Sequence, residues 1–304
     1  MTCVVCLEDG GAFVCECLAF HLNCFASFLG RGQEECTICY GRFDRKMKAD
    51  ALECLCSRAS AVLGSDHHTA MVRKLEMAVA FAGVGRTEDA KRSLNELIST
   101  SAAPQWVKSV SQVELGRVVY HSGDVLASAC ILEECLQTLV HIRKRWAWLE
   151  HLEVCTALGS CYADMGRFVD AERLLLFAMD GHLKNEHACL RKVVKCMQSI
   201  AKFYHLRSDD ALACETLRVA CGILEENESD PSRVALAAIE LAKSEVRLGD
   251  VLIGVVRFRA SVRTLRKRKH DEYASDGILD ARRELAKLIK PRKRLRVKTW
   301  PEEC

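Results

Sequence analysis

The residues with the clearest chemistry lie in the first 39 positions, where cysteines and one histidine follow each other in pairs. The spacing is Cys-x2-Cys, Cys-x-Cys, His-x2-Cys and Cys-x2-Cys, formed in order by Cys3, Cys6, Cys15, Cys17, His21, Cys24, Cys36 and Cys39. A structural Zn²⁺ ion takes four thiolate or imidazole ligands, and one such pair delivers two of them to a single ion. The four pairs therefore predict two structural zinc sites. Zinc would supply the folding free energy that a segment of about 40 residues cannot obtain from burial.

This stretch resembles the RING family of zinc modules, most closely its RING-CH variant. The segments that carry the resemblance are His21–Leu29 (HLNCFASFL) and Cys36–Phe43 (CTICYGRF). The resemblance implies a cross-brace, with one ion on Cys3, Cys6, His21 and Cys24 and the other on Cys15, Cys17, Cys36 and Cys39. The short gap before His21 leaves the subclass open. A PHD-type reader of histone tails has the same ligand order, but residues 33–35 are QEE where that family usually has a tryptophan.

The RING resemblance implies catalysis by positioning, because such modules dock a ubiquitin-conjugating enzyme and hold its thioester in a reactive pose. The docking groove would comprise Val5, Phe28, Thr37 and Ile38. Alternatively, Val5 and Phe28 only fill the small core. Active RINGs often have a proline where Thr37 stands and a basic residue where Tyr40 stands. The sequence thus predicts a RING-type ubiquitin ligase, with a non-enzymatic scaffold or assembly component as the alternative.

The rest of the chain is predicted to be helical. Only 4 of 304 residues are proline, which favours helices joined by short loops. From residue 67 a pattern recurs: a small residue, an apolar residue three positions later, glycine at seven, a small residue at twelve and an apolar residue at sixteen. The small residues that open each copy are Ala78, Gly116, Gly159, Ala201 and Ala242.

This pattern resembles the tetratricopeptide repeat (TPR), in which each unit is a pair of antiparallel helices. Successive copies are 38 to 43 residues apart, longer than the usual period of about 34 and similar to the long repeats of kinesin light chains. A non-repeating helical bundle is the alternative. We expect a mostly α chain with a two-zinc module at 1–45, a helical linker at 46–66, about five repeats at 67–270, and a basic helix and tail at 271–304.

In such an array the first helix of each pair lines the inner surface. Residues one and five positions after each opening small residue should face it, together with Lys195. The predicted partner-binding side chains are Arg117, His121, Lys195, Lys202, Lys243 and Arg247. A concave wall of like charge attracts the opposite sign, so we expect an acidic peptide or protein surface as the partner. Scattered, solvated lysines are the alternative.

Two runs near the end, Arg257–His270 and Lys287–Lys298, each carry seven Lys or Arg and no acid. They predict a nuclear localisation signal, with nucleic-acid contact as a weaker option and a solvated helix face as the alternative. We find no secretory signal and no apolar run of about 18 residues, so we expect a nuclear or cytoplasmic protein, without membrane contact and with reduced thiols.

Eleven cysteines lie outside the zinc pattern. Eight of them fall in the predicted repeat helices without ligand spacing, and we expect small buried hydrophobes at Cys130, Cys135, Cys155, Cys161, Cys189, Cys196, Cys214 and Cys221. Cys54 and Cys56 with His67 and His68 have a structural role by the same reasoning. The sequence contains no phosphate-cradling glycine loop and no convincing nucleophile–base pair.

Overall fold

A computed structural model describes the backbone of 12–15 and 18–20, positions 25 and 29, and residues 45–142, 144–185, 190–227, 231–267 and 282–289. Strand β1 (Ala12–Cys15) pairs antiparallel with strand β2 (Leu18–Phe20), and Cys15 lies opposite Leu18. Phe25 and Leu29 are buried helical positions. The rest of the predicted zinc module, including seven of its eight ligands and all four docking residues, lies outside the described residues.

Helices dominate from residue 45 onward, as predicted. They are α1 (Arg45–Leu63), α2 (His68–Gly83), α3 (Thr87–Ser99), α4 (Gln105–His121), α5 (Val125–Val140), α6 (Arg145–Asp164), α7 (Phe168–Leu183), α8 (Leu190–Leu206), α9 (Asp210–Asn227), α10 (Pro231–Leu248) and α11 (Val251–Lys267), with a further helical segment at 282–289. The chain divides into two compact units, Met1–Leu206 and Arg207–Cys304. Among the described residues, no helix is long and apolar enough to span a membrane.

The turn that ends the first helix of each repeat contains one residue with positive φ. These residues are Gly85 (φ 81°), Gly123 (94°), Gly166 (76°), Ser208 (63°) and Gly249 (115°). Each stands seven positions after the opening small residue of its copy, where the pattern placed glycine in four copies and serine in one. Glycine adopts this backbone conformation without a steric penalty. The predicted register of the repeats is confirmed.

The opening small residues allow the two helices of a pair to approach closely. A Cβ added to Gly116 would lie 2.8 Å from Cγ of Leu132, and one added to Gly159 would lie 2.8 Å from Cγ of Leu175. The apolar residue at position sixteen is buried in all five copies, as Leu94, Leu132, Leu175, Leu217 and Phe258. The helix pairs that lie within one unit therefore interlock through the residues that the pattern selects.

In the first unit the helices form two layers. Helices α2, α4, α6 and α8 contact one another in succession, in addition to their contacts with the neighbouring helix in sequence. The second helices α3, α5 and α7 do not approach one another comparably. Because the first helices lie closer together, their layer is the inner one, as predicted for a TPR-like array.

Two segments outside the predicted repeats pack into the buried clusters. Helix α1, expected as a helical linker, packs against α2, and its Ala49, Leu52 and Cys56 join the same buried cluster as Met71 and Leu75. The segment 282–289, expected as part of the basic C-terminal helix and tail, contributes its buried Leu285 to the core of the second unit. Both segments bury an apolar face that covers the end of a helical stack.

Candidate protein-interaction surface of the first unit

The inner layer of the first unit carries a network of charged side chains. Arg117 on α4 donates to Glu114 Oε1 at 2.5 Å and to Glu153 on α6. Burial acts to lower the pKa of Arg117, but the two carboxylates outweigh it and the pKa is raised. Arg117 therefore remains charged and links the first helices of two successive repeats.

Glu153 is the centre of this network and is only 6% exposed. Lys192 Nζ on α8 lies 3.6 Å from its Oε1, and His182 Nε2 on α7 lies 3.8 Å from the same oxygen. Burial acts to raise the pKa of Glu153, but Arg117 and Lys192 hold it below the ordinary value. His182 is 1% exposed, and burial lowers the pKa of its imidazole, so the ring is neutral at pH 7.

A second cluster joins α4, α6 and α8 closer to the ends of α4 and α6. Tyr120 Oη donates to Asp164, and Lys202 Nζ donates to the Tyr120 hydroxyl and, at 2.8 Å, to Asp164 Oδ2. Burial acts to lower the pKa of Lys202, but its bonds to Asp164 and Tyr120 outweigh it, and the pKa is raised. The three side chains tie the layer together across three repeats.

One histidine and one lysine lie beside this cluster without an ion pair among the described residues. His121 is exposed, and its pKa is lowered first by partial burial and then by Lys195, Lys202 and Arg117. The pKa of Lys195 is also lowered, first by desolvation and then by Arg117, against the opposing effect of Glu153 and Glu114. In the part of the chain that the structure describes, Lys195 has no ion pair. An anionic group placed between His121 and Lys195 would therefore meet a favourable potential.

The structure divides the predicted basic groove. Arg117, His121, Lys195 and Lys202 lie on the inner layer of the first unit, whereas Lys243 and Arg247 belong to the second unit. Lys243 is engaged by Glu240 (2.7 Å) and Glu284 (2.9 Å). The sequence prediction placed Asp164 on the inner face, five positions after Gly159, but did not include Glu114 and Glu153, which pair with Arg117. The surface of the first unit is accordingly a mixed charge network with a local positive spot.

Among the candidate zinc ligands, Cys15 lies in described backbone, at the end of β1. Because Cys15 pairs with Leu18, only two residues connect the strands, and the sequence places Cys17 among them. Within the described residues no group of three or more His, Cys, Asp or Glu side chains can hold a metal. His67 instead caps α2 by accepting from Thr69 N at 3.2 Å.

The cysteines of the repeat helices behave largely as expected. Burial is confirmed for Cys135, Cys155, Cys161, Cys196, Cys214 and Cys221, whereas Cys130 is exposed and Cys189 lies outside the described residues. Burial raises the pKa of Cys135 and of Cys155 to about 12. These side chains are protonated thiols at neutral pH and serve packing.

The fold is that of a TPR-like helical-repeat protein. Its helices come in pairs with a period near 40 residues, each pair has a residue with positive φ in its turn, and the first helices form the inner layer. One solved structure supports this fold, and a second is reported beside it. BtubC (BKLC) from P. vanneervenii superposes with a TM-score of 0.54 at 15% identity, over 72% of this chain and 93% of that one. A Podosopora anserina protein described as a kinesin light chain with nearly identical TPR-like repeats gives 0.49 at 18% identity, over 67% and 99%. No protein family and no curated protein matches the sequence.

Proposed function

We propose that the chain is a protein-interaction scaffold whose first unit binds a partner on the inner layer formed by α2, α4, α6 and α8. The observation that carries this proposal is the positive charge of Lys195, which has no ion pair among the described residues and lies near His121, beside charged side chains that span three repeats. TPR-like neighbours support protein partners in general. The chemistry of the spot favours a partner segment with an aspartate, a glutamate or a terminal carboxylate.

The internal ion pairs prepare this surface for binding. Arg117 and Lys202 are held by carboxylates of neighbouring helices, so their side-chain order does not have to be created when a partner arrives. Lys195 is left to donate to the new carboxylate, and His121 becomes a second, charged donor when that carboxylate raises its pKa. Charge-assisted hydrogen bonds of this kind contribute about 1.5–3 kcal/mol each.

Selection of a displayed random peptide library on the full chain tests this proposal. We expect enriched sequences to be acidic, and a labelled enriched peptide to bind Lys195→Ala or His121→Ala at least about tenfold more weakly than wild type. Arg173→Ala is the matched control, because Arg173 is exposed on α7 and, among the described residues, pairs with nearby Asp170 at 3.6 Å. Unchanged affinity in both inner-layer variants would refute the proposed surface.

We propose as a second function that the first 45 residues form a RING-type module and that the chain is a ubiquitin ligase which recruits its substrate through the repeats. The eight-ligand spacing of cysteine and histidine supports this. The eight cysteine and histidine side chains would hold two structural Zn²⁺ ions. Val5, Phe28, Thr37 and Ile38 would contact the ubiquitin-conjugating enzyme, which carries the thioester.

A discharge assay with purified ubiquitin-conjugating enzymes separates the ligase from the scaffold. Ligase function predicts two Zn²⁺ per chain, faster loss of the ubiquitin thioester with at least one conjugating enzyme, and loss of that acceleration in Val5→Ala and Phe28→Ala. Two bound zinc ions with no acceleration by any conjugating enzyme would leave the non-enzymatic scaffold.

We also propose that the basic runs direct the chain to the nucleus. Replacement of the Lys and Arg residues in 287–298 by glutamine should prevent nuclear accumulation.

A further inference from the structure

A cluster of three aromatic rings lies where α6 begins and α7 ends. Trp148 and His151, one turn apart on α6, stack with ring centroids 5.8 Å apart and an interplanar angle of 14°. Phe177 on α7 meets Trp148 edge-on at 5.7 Å and His151 at 5.6 Å. Trp148 and Phe177 are 45% and 42% exposed. We call Trp148, His151 and Phe177 the aromatic cluster.

The aromatic cluster borders a pocket of about 460 Å³. Leu149 and Gly181 contribute to its wall, and Arg145, Asp180 and Lys184 line its polar side. None of these residues belongs to the charge network of the inner layer. The pocket is therefore a separate surface feature of the first unit.

Other repeats of the same chain show that the fold does not require aromatic residues here. Trp148 stands eleven positions before the opening residue Gly159, and Phe177 stands eighteen after it. The equivalent residues in the second repeat are Gln105 and Glu134, and in the first repeat His67 and Glu96; all four are exposed. A large exposed aromatic pair that repeat packing does not demand is typical of an interaction site.

The surroundings of the pocket are positively charged. Lys144 and Arg145 are exposed at the start of α6, and in the described part of the chain neither forms an ion pair. Asp180 is engaged by Lys184 at 2.7 Å. No side chain caps the start of α6, where Lys144 is the N-cap residue, so the free N–H groups of the first turn add to the positive potential.

We propose that this pocket binds an acidic segment of a protein partner, with one apolar side chain seated against Trp148 and Phe177 and carboxylates at the start of α6. Tryptophan, arginine and a desolvated pocket are the usual composition of an interface hot spot. A single-stranded nucleic acid is a weaker fit. Trp148 and His151 stack on each other, so one face of each ring is closed to a base, and no series of stacking rings follows them in the described chain.

The test uses peptides enriched from a displayed random library on the full chain, after competition with a peptide of the inner-layer class. We expect an aromatic or aliphatic residue flanked by Asp or Glu. The affinity of such a peptide should fall about 30-fold in the double variant Trp148→Ala/Phe177→Ala and about tenfold in Lys144→Glu/Arg145→Glu. Both aromatic side chains are more than two-fifths exposed, so an unchanged circular dichroism spectrum and melting temperature should show that the variants fold.

Matched controls separate this pocket from the inner layer. Leu126→Ala and Val169→Ala, at side chains 67% and 83% exposed elsewhere on the same unit, should not change the affinity. Lys195→Ala should weaken the inner-layer peptide and not this one. The proposal is overturned if no enriched peptide loses affinity in Trp148→Ala/Phe177→Ala, or if the variant loses binding of an oligo(U) RNA while every peptide binds as in wild type.

Discussion

The buried carboxylate of Glu153 should hold the first unit together, and its replacement provides a sharp test. Glu153→Gln keeps the size of the side chain and an oxygen acceptor but removes the negative charge that Arg117 and Lys192 face. Glu153 is 6% exposed, so water cannot compensate for the loss. Removing one member of a buried ion pair destabilises a protein by about 3–5 kcal/mol. We expect about 3 kcal/mol, at the lower end, because Glu114 still pairs with Arg117.

The assay is urea unfolding of the full chain followed by circular dichroism, together with a thermal melt. A loss of about 3 kcal/mol in a unit of this size lowers the melting temperature by roughly 6–12 °C. Asp180→Asn is the control, because the Asp180–Lys184 pair is exposed and such pairs contribute about 0.5 kcal/mol or less. A double-mutant cycle with Arg117→Gln should give a coupling energy of about 1–3 kcal/mol. If Glu153→Gln stays within about 0.5 kcal/mol of wild type, the network does not stabilise the unit.

Three further predictions concern protonation, packing and reactivity. Burial lowers the pKa of His182 below its ordinary value, so on acidification the unfolded chain takes up a proton that the folded chain does not. Stability should therefore fall from pH 7 to pH 5.5, and less steeply in His182→Gln when urea midpoints are compared. Gly254→Ala should destabilise the protein by about 1–3 kcal/mol, because the added Cβ would lie 2.6 Å from a backbone oxygen of α10. Gly222→Ala, whose Cβ would have nothing within 4 Å, should stabilise it by about 0.5–1 kcal/mol. Equal urea midpoints for the two variants would contradict the packing argument. Timed thiol labelling with mass spectrometry should modify exposed Cys130 well before buried Cys135, whose pKa is raised to about 12; equal rates would show that the helices open readily.

The repeat register could be predicted from the sequence because the local geometry at each repeat position restricts which residue types fit there. A turn with positive φ selects glycine, as at Gly85 and Gly166, and a close helix crossing selects a small residue, as at Gly116 and Gly159. Such demands act on one residue at a time and recur at a fixed period. The helix pairs of the structure therefore follow the period of 38 to 43 residues found in the sequence.

The charge pattern of the surface could not be read in the same way. Whether Arg117 is an available cation depends on Glu153, which is 36 residues away and on another helix. Likewise, Asp164 neutralises Lys202 across the layer. The position of each cation in the repeat pattern predicts which face of its helix it lies on. It does not predict which carboxylate of another helix lies opposite. Asp164 stands five positions after Gly159, on the predicted inner face, and was the available signal.

The aromatic cluster was missed for a related reason. Trp148 and Phe177 are 29 residues apart, and neither fits a position of the repeat pattern. Their juxtaposition requires the antiparallel course of α6 and α7. Comparison of equivalent positions between repeats distinguishes them, since Gln105 and Glu134 occupy the same places in the second repeat.

Hydrogen exchange of the full chain with and without an enriched acidic peptide tests the central claim most directly. The account predicts that the peptide slows amide exchange in α4, α6 and α8, whose first-helix layer presents His121 and Lys195. The slowing should disappear in Lys195→Ala. Slowed exchange confined to the outer helices α3 and α5, or no difference between the variant and wild type, would contradict the claim that the inner layer is the partner-binding surface.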